Sequence, residues 1–361
     1  MQRSAPCLLI LAWIVGGCAS DRPAPADPEA ARQLIERSIP RSVLDRGGWT
    51  LDLYTGFNEL GVAPSLEHIC AVVAVIEQES GFRIDPPISG LPAIAWKEID
   101  ERAARAGVPR LVVHGILGLK SPTGRTYSER IDGARTEKDL SDIYEDFIGT
   151  VPLGRTLFAD HNPIRTRGPM QVSVAFAERF AAARRYPYPL KTSIADELFT
   201  RRGSIYFGIA HLLLYPAGSD QYLYRFADFN AGQYASRNAA FQEAVTIASG
   251  IPLLADGALL PHDGDGRTRG PTEAALFAIA ARLGLPESDI HAALERGKLE
   301  DFERTPTYQR VFAMAETKQH GPLSRAVIPR IELHGPKISR TLTTAWYANR
   351  VNARFQGCLR Q

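Results

Sequence analysis

Glu79 is the side chain in this sequence with the clearest capacity for acid chemistry. It ends the segment Ile76-Glu77-Gln78-Glu79-Ser80-Gly81-Phe82, which follows the apolar run Ile69-Cys70-Ala71-Val72-Val73-Ala74-Val75-Ile76. The run predicts one buried helix over 65–80, with Ser65 as N-cap after Pro64 and Glu67 in the first turn, where the helix dipole favours a carboxylate. At about 100° per residue, Ile69, Val72, Val73 and Ile76 share a face that Glu79 extends, while Glu77 points away. Burial penalises an ionised carboxyl, so an acid on that face is expected to hold its proton near neutral pH and to act as a general acid. The alternative is that Glu79 caps the helix end or pairs there.

Two further segments carry polar side chains after glycine-containing turns or before glycine. They are Arg167-Gly168-Pro169-Met170-Gln171-Val172-Ser173 and Phe226-Ala227-Asp228-Phe229-Asn230-Ala231-Gly232. Between them lies Ser204-Ile205-Tyr206-Phe207-Gly208-Ile209-Ala210, followed by the apolar run His211-Leu212-Leu213-Leu214. In this order the four pieces resemble the soluble lytic transglycosylases and goose-type lysozymes. The pattern of that superfamily runs Glu-Ser, Gly-x-Met-Gln, a Tyr-Gly segment, then Asn-Ala-Gly. The likeness covers roughly residues 60–245. The complete pattern also resembles a family of uncharacterised proteobacterial lipoproteins.

The resemblance implies a mainly α, lysozyme-like helical core with an insertion and a helical C-terminal extension. It implies a single catalytic carboxyl, Glu79, acting on the β-1,4 bond between N-acetylmuramic acid and N-acetylglucosamine in peptidoglycan, without metal or cofactor. Ser80, Gln171, Tyr206 and Asn230 would bind substrate, the two amides by offering donors and acceptors. Many members carry Tyr where this chain has Phe229, so the hydroxyl expected at the acid is absent at that point; either Tyr206 or Tyr234 supplies it, or the acid is tuned by burial alone. Three functions follow: a lytic transglycosylase yielding a 1,6-anhydro sugar, a goose-lysozyme-like hydrolase, or a peptidoglycan-binding lipoprotein without turnover. Most glycosidases use two carboxylates, whereas the resembled enzymes use one.

The elements needed to bring these residues together are spread widely. Gln171 lies 92 residues after Glu79, much farther than in the family, so 83–160 is expected to be an insertion, either a subdomain or a flap. It predicts helices near 92–106 and 136–148 and an apolar run from Leu111 to Leu119, with a small β element near Val112 or Leu117. Residues 28–60 read as helical then irregular, broken at Gly47-Gly48. The core is expected over 31–245 and a helical region over 246–361, with helices at 271–284, 286–297 and 305–318. The aromatics of Thr344-Ala345-Trp346-Tyr347 read as packing.

Arg3, the apolar stretch Leu8 to Val15 and Val15-Gly16-Gly17-Cys18 predict a signal peptide over 1–17, too short for a permanent membrane span. By resemblance to bacterial lipoproteins, Cys18 is lipidated and becomes the mature N-terminus. Ala19 after it implies an outer-membrane lipoprotein facing the periplasm, on a Pro/Ala tether over 18–30. The expected partners are glycan strands and, through the lipid, a membrane. With 42 Lys and Arg against 40 Asp and Glu, overall charge gives no support for nucleic acid or an anionic membrane as a general partner. Cys70 and Cys358 form a bridge, which an oxidising periplasm permits, or Cys70 packs as a small hydrophobe. Asp263-Gly264-Asp265-Gly266 lacks the downstream carboxylate of a calcium loop and reads as a turn.

Overall fold

The computed structural model describes residues 27–150, 162–261, 269–333 and 341–360. The expected signal peptide, Cys18, most of the tether and the Asp263–Gly266 turn lie outside the described residues. The chain is mainly helical, and its strands are two short antiparallel pairs.

Helix α3 (Leu66–Glu79) is the centre of the first core. Ser65 caps it by accepting from His68 N at 3.2 Å, as expected. Every residue from Ile69 to Ile76 is buried, so α3 is enclosed on all sides rather than along one stripe. Each fully buried Val or Ile contributes roughly 1.5–3 kcal/mol, which outweighs the ~1 kcal/mol of a cap, so packing rather than propensity fixes this helix. Against it stand α1 (Pro28–Ser38) and α10 (Arg201–Leu213), with α2 (Arg46–Leu60) packed on both. Helix α1 begins inside the expected tether, with Asp27 capping Glu29 and Ala30. Gly47 and Gly48 do not break the chain. They form the first turn of α2, where Asp45 accepts from Gly48 N at 3.1 Å.

Residues 83–150 form a helical subdomain of α4 (Leu91–Arg105), α5 (Arg110–Leu117), α6 (Tyr127–Asp132) and α7 (Glu137–Thr150). It has its own core of Leu91, Leu117, Tyr127, Ile131 and Ile143. Val112 and Leu117 are helical. The β-branched run that suggested a strand is overridden because Leu117 and Val113, four residues apart, face one core.

The chain re-enters the first core through a hairpin of β1 (Thr166–Arg167) and β2 (Val172–Ser173), then α8 (Val174–Ala183), α9 (Ile194–Glu197), α10 and α11 (Tyr222–Ala231). Helix α12 (Ala235–Ser249) runs through the boundary expected at 245. It supplies Ala240, Phe241, Ala244 and Val245 to a second core, completed by α13 (Pro271–Phe277), α14 (Ala280–Leu283), α15 (Glu287–Glu295) and α16 (Pro306–Gln319). Asp228 closes the α11–α12 joint, accepting from Tyr215 Oη at 2.9 Å and Ser236 N at 2.6 Å.

From the second core the chain returns through β3 (Glu332–Leu333) and β4 (Leu342–Thr343) to the last helix, α17 (Thr344–Leu359), which packs along α3 and α11. Cys358 is bonded to Cys70, with their Cα atoms 5.6 Å apart, across 288 residues of sequence. Arg354 pairs with Glu77 at 3.5 Å and Tyr347 with Glu79, so the two helices run antiparallel. A loop this long carries a large closure entropy, and removing the bridge with Cys70→Ser and Cys358→Ser is expected to cost about 2–5 kcal/mol. Chemical denaturation of the oxidised chain and the double variant measures it; equal midpoints would contradict this account.

Candidate functional site

Glu79 occupies the last turn of α3, half-buried where the helix emerges from the core. Its Oε1 accepts from the Tyr347 hydroxyl at 2.5 Å. Tyr347 is 5% exposed, and burial, with the Glu79 carboxylate beside it, holds its pKa well above that of a free tyrosine. It therefore stays protonated and donates at any working pH. The hydroxyl that Phe229 lacks is thus supplied from α17, in the segment expected to do no more than pack.

The same turn of α17 reaches Asn230. Thr344 donates from Oγ1 to Asn230 Oδ1 at 2.9 Å. Thr344 and Tyr347 are three residues apart on a helix, hence neighbours on one face. One turn of α17 therefore bridges Glu79 at the end of α3 and Asn230 at the end of α11.

Ser80 is the C-cap of α3, and its Oγ donates to Ile76 O at 3.1 Å, so its polar atom serves the helix end. Gly81 and then Phe82 take left-handed backbone angles, the latter at φ 61°. That strained turn sends the Phe82 ring edge-on against Trp49, with centroids 5.0 Å apart.

The second and third motifs are joined directly. Residues 168–171 form the turn of the β1–β2 hairpin, closed by Gln171 N donating to Gly168 O at 2.9 Å. Gly168 has φ 75°, and a Cβ there would lie 1.9 Å from Leu198 O, so the position demands glycine. Met170 N donates to Ser204 Oγ at 3.0 Å, and the Met170 thioether fills the space over Gly208, where a Cβ would meet sulfur at 2.2 Å. The glycine of the Tyr-Gly segment is thus the seat for the methionine of the Met-Gln turn.

Gln171 is half-buried and held on three sides. It accepts from Thr166 Oγ1 at 2.8 Å and donates to Glu137 Oε2 at 2.9 Å and Gly168 O at 3.3 Å. Its amide therefore ties the hairpin to the insertion at the start of α7. Tyr206 is placed differently from the expectation for a substrate ligand. It is 1% exposed, set edge-on to Tyr186 and Phe207 with centroids 5.2 Å away, and its role is to pack. Tyr234 sits against Tyr215 and beneath the Arg237 guanidinium at the joint of the two cores. Phe229 packs on His211, which is buried and has its pKa pushed down to about 4 by that burial, with Arg179 adding to it.

Sequence reasoning missed Tyr347, Thr344 and Glu137. The first two carried a readable signal. Thr344, Tyr347, Val351, Phe355 and Cys358 recur at helical spacing and are all buried. A bridge from Cys358 to Cys70 on the Glu79 helix puts that stripe against the acid. Glu137 had no such signal, because its position follows from how the insertion folds.

The chain matches, over residues 42–361, the family described as a protein of unknown function (DUF1615), and it belongs to that family. It is 48% identical over 357 residues to the uncharacterized protein YaiW of Escherichia coli K12, covering 98% of this chain and 97% of that one. No solved structure matches it. The family match spans all four motifs and α17.

Proposed function

We propose that this protein is a peptidoglycan lytic transglycosylase with a lysozyme-like helical core and Glu79 as its sole acid and base. The observation that carries the reading is the meeting of Glu79, Tyr347, Thr344 and Asn230 at the ends of α3 and α11 under one turn of α17. The joining of the Met-Gln turn to the Tyr-Gly helix supports it, since two of the four motifs that resemble the transglycosylases pack directly on each other.

In this reading Glu79 protonates the glycosidic oxygen of the β-1,4 bond as the C1–O bond breaks and C1 becomes oxocarbenium-like. The acetamido oxygen of N-acetylmuramic acid stabilises C1 from the opposite side, in place of a second carboxylate. The ionised Glu79 then takes the proton of the C6 hydroxyl as that oxygen bonds to C1. The product is a 1,6-anhydro sugar, no water is consumed, and the carboxyl ends protonated as it began. Tyr347 is a positioning residue: it is enclosed, and its hydroxyl fixes the carboxyl orientation through Oε1. Asn230 orients the sugar from the neighbouring helix end, and Gln171 acts through the hairpin turn that it holds. The lipid on Cys18 holds the enzyme at the outer membrane, facing the periplasm and its glycan substrate.

Glu79→Gln keeps the side-chain shape but cannot donate and then accept a proton. Incubated with purified peptidoglycan, it is expected to bind as the wild type does and to release nothing, while the wild type releases anhydro-muropeptides. Products heavier by one water would establish the hydrolase instead. Binding without products from either protein would leave a glycan-binding lipoprotein. For the anchor, Cys18→Ser is expected to move the protein out of the membrane fraction or to leave it unprocessed; unchanged fractionation contradicts lipidation.

A further inference from the structure

Gln171 stands in the left-handed backbone region at φ 50°, where a non-glycine residue is uncommon, between the buried Met170 and Val172. Its side chain is held at both polar atoms. Nε2 faces Glu137 Oε2 at 2.9 Å and Gly168 O at 3.3 Å, and Oε1 faces Thr166 Oγ1 at 2.8 Å. An ionised carboxylate and a peptide carbonyl only accept hydrogen bonds. The nitrogen is therefore the end that points at Glu137 and Gly168, and the oxygen is the end at Thr166. A threonine hydroxyl donates or accepts, so Thr166 follows the amide and does not set it. Both N–H groups are engaged within the protein, and Thr166 takes one of the two lone pairs on Oε1. The Thr166 bond lies on the exposed side of the amide, whereas both bonds from Nε2 are partly buried. What Gln171 still offers outward is one lone pair, an acceptor.

Of the two groups that fix this polarity, Gly168 O belongs to the same turn and is the longer, neutral contact. Glu137 is the stronger, because a hydrogen bond to an ionised oxygen is roughly twice as strong as a neutral one. It comes from outside the motif, in the first turn of α7, where the helix dipole favours a carboxylate. That turn is itself braced. Arg135 N and Thr136 N both donate to Asp139 Oδ2, at 2.8 and 3.0 Å. Further along α7, Asn162 Nδ2 donates to Ser141 Oγ at 3.1 Å and Glu145 Oε1 at 3.0 Å, tying the helix to the strand that leads into the hairpin. The insertion thus presents Glu137 to Gln171 from a fixed element.

We propose that Glu137 is a positioning residue for glycan binding. It holds the Gln171 amide so that only the carbonyl oxygen faces the substrate, as acceptor for an N–H or O–H of a sugar. Resting on the glycan reading above, this makes the insertion part of what selects the substrate. Three variants of the full chain separate positioning from mere support. Glu137→Gln keeps an acceptor for Nε2, Glu137→Met keeps the length and offers none, and Glu137→Lys places a donor there, which turns the amide over. In protein labelled with 15N-glutamine, the Gln171 side-chain resonances, assigned by their loss in Gln171→Leu, are expected to hold in Glu137→Gln and to move in the other two. On purified peptidoglycan, KM is expected to rise about tenfold in Glu137→Met and further in Glu137→Lys, to stay within about threefold in Glu137→Gln, and kcat to change little. A wild type that binds peptidoglycan without turnover would overturn the transglycosylase reading and not this one, and the same order of variants is then expected in the dissociation constant. Resonances unmoved in Glu137→Met, or affinity unchanged in Glu137→Lys, would overturn the proposal. So would KM, kcat and the unfolding midpoint changing alike in all three variants, which would make Glu137 a structural support.

Discussion

Glu79 ends a helix whose preceding turns are wholly apolar, and the hydroxyl that meets it comes from 268 residues further along the chain. That contact depends on α17 lying antiparallel to α3, and two interactions of different kinds hold it there. The Cys70–Cys358 bond ties the far ends of the helices together and limits the unfolded chain. The Tyr347–Glu79 hydrogen bond sets the register at the near end. A hydrogen bond to a charged group is worth about 1.5–3 kcal/mol, less than the closure entropy of a loop this long. The disulfide and the packing of Val351 and Phe355 therefore hold α17, and the polar pair orients what they deliver.

Much of the remaining chain can be understood as the route by which α17 comes back. The second core of α12–α16 is joined to the first at Asp228, Ser236 and Arg237, with Arg237 donating to Gly297 O and Leu299 O. From it, Val327 N bonds Ser236 O and Arg330 N bonds Ala255 O, steering the chain towards β3 and β4. Thr343 then caps α17 by accepting from Trp346 N at 3.1 Å. The insertion acts on the other side. Its Glu137 takes one donor of Gln171, so the position of the Met-Gln turn is coupled to the folding of α7.

What could be read from the sequence was what is local. The Ser65 cap, the apolar run to Ile76, the insertion helices near 92–106 and 136–148 and the C-terminal helices at 286–297 and 305–318 follow from periodicity and capping and stand within a few residues of expectation, whereas 271–284 is two helices, α13 and α14. The helix-phase argument for Glu79 placed it beside buried surface but missed why: α3 is surrounded, so Glu77 is half-buried too and is paired with Arg354. Tyr206 illustrates a second limit. A tyrosine in a motif helix reads the same whether it faces a groove or a core, and here neighbouring aromatics enclose it. Tyr347 needed a long-range constraint, and the chain offered one in Cys358. The Gln171–Glu137 contact had none, because nothing local fixes how α7 meets the hairpin.

The central claim is that α17 completes the site at Glu79, and Tyr347→Phe tests it most directly because it removes one oxygen and keeps the buried ring. With turnover of purified peptidoglycan as the assay, kcat is expected to fall roughly ten- to hundredfold with KM little changed, and stability to fall by no more than the ~1.5–3 kcal/mol of a hydrogen bond to a charged group. Unchanged kcat in a folded Tyr347→Phe protein would contradict the account.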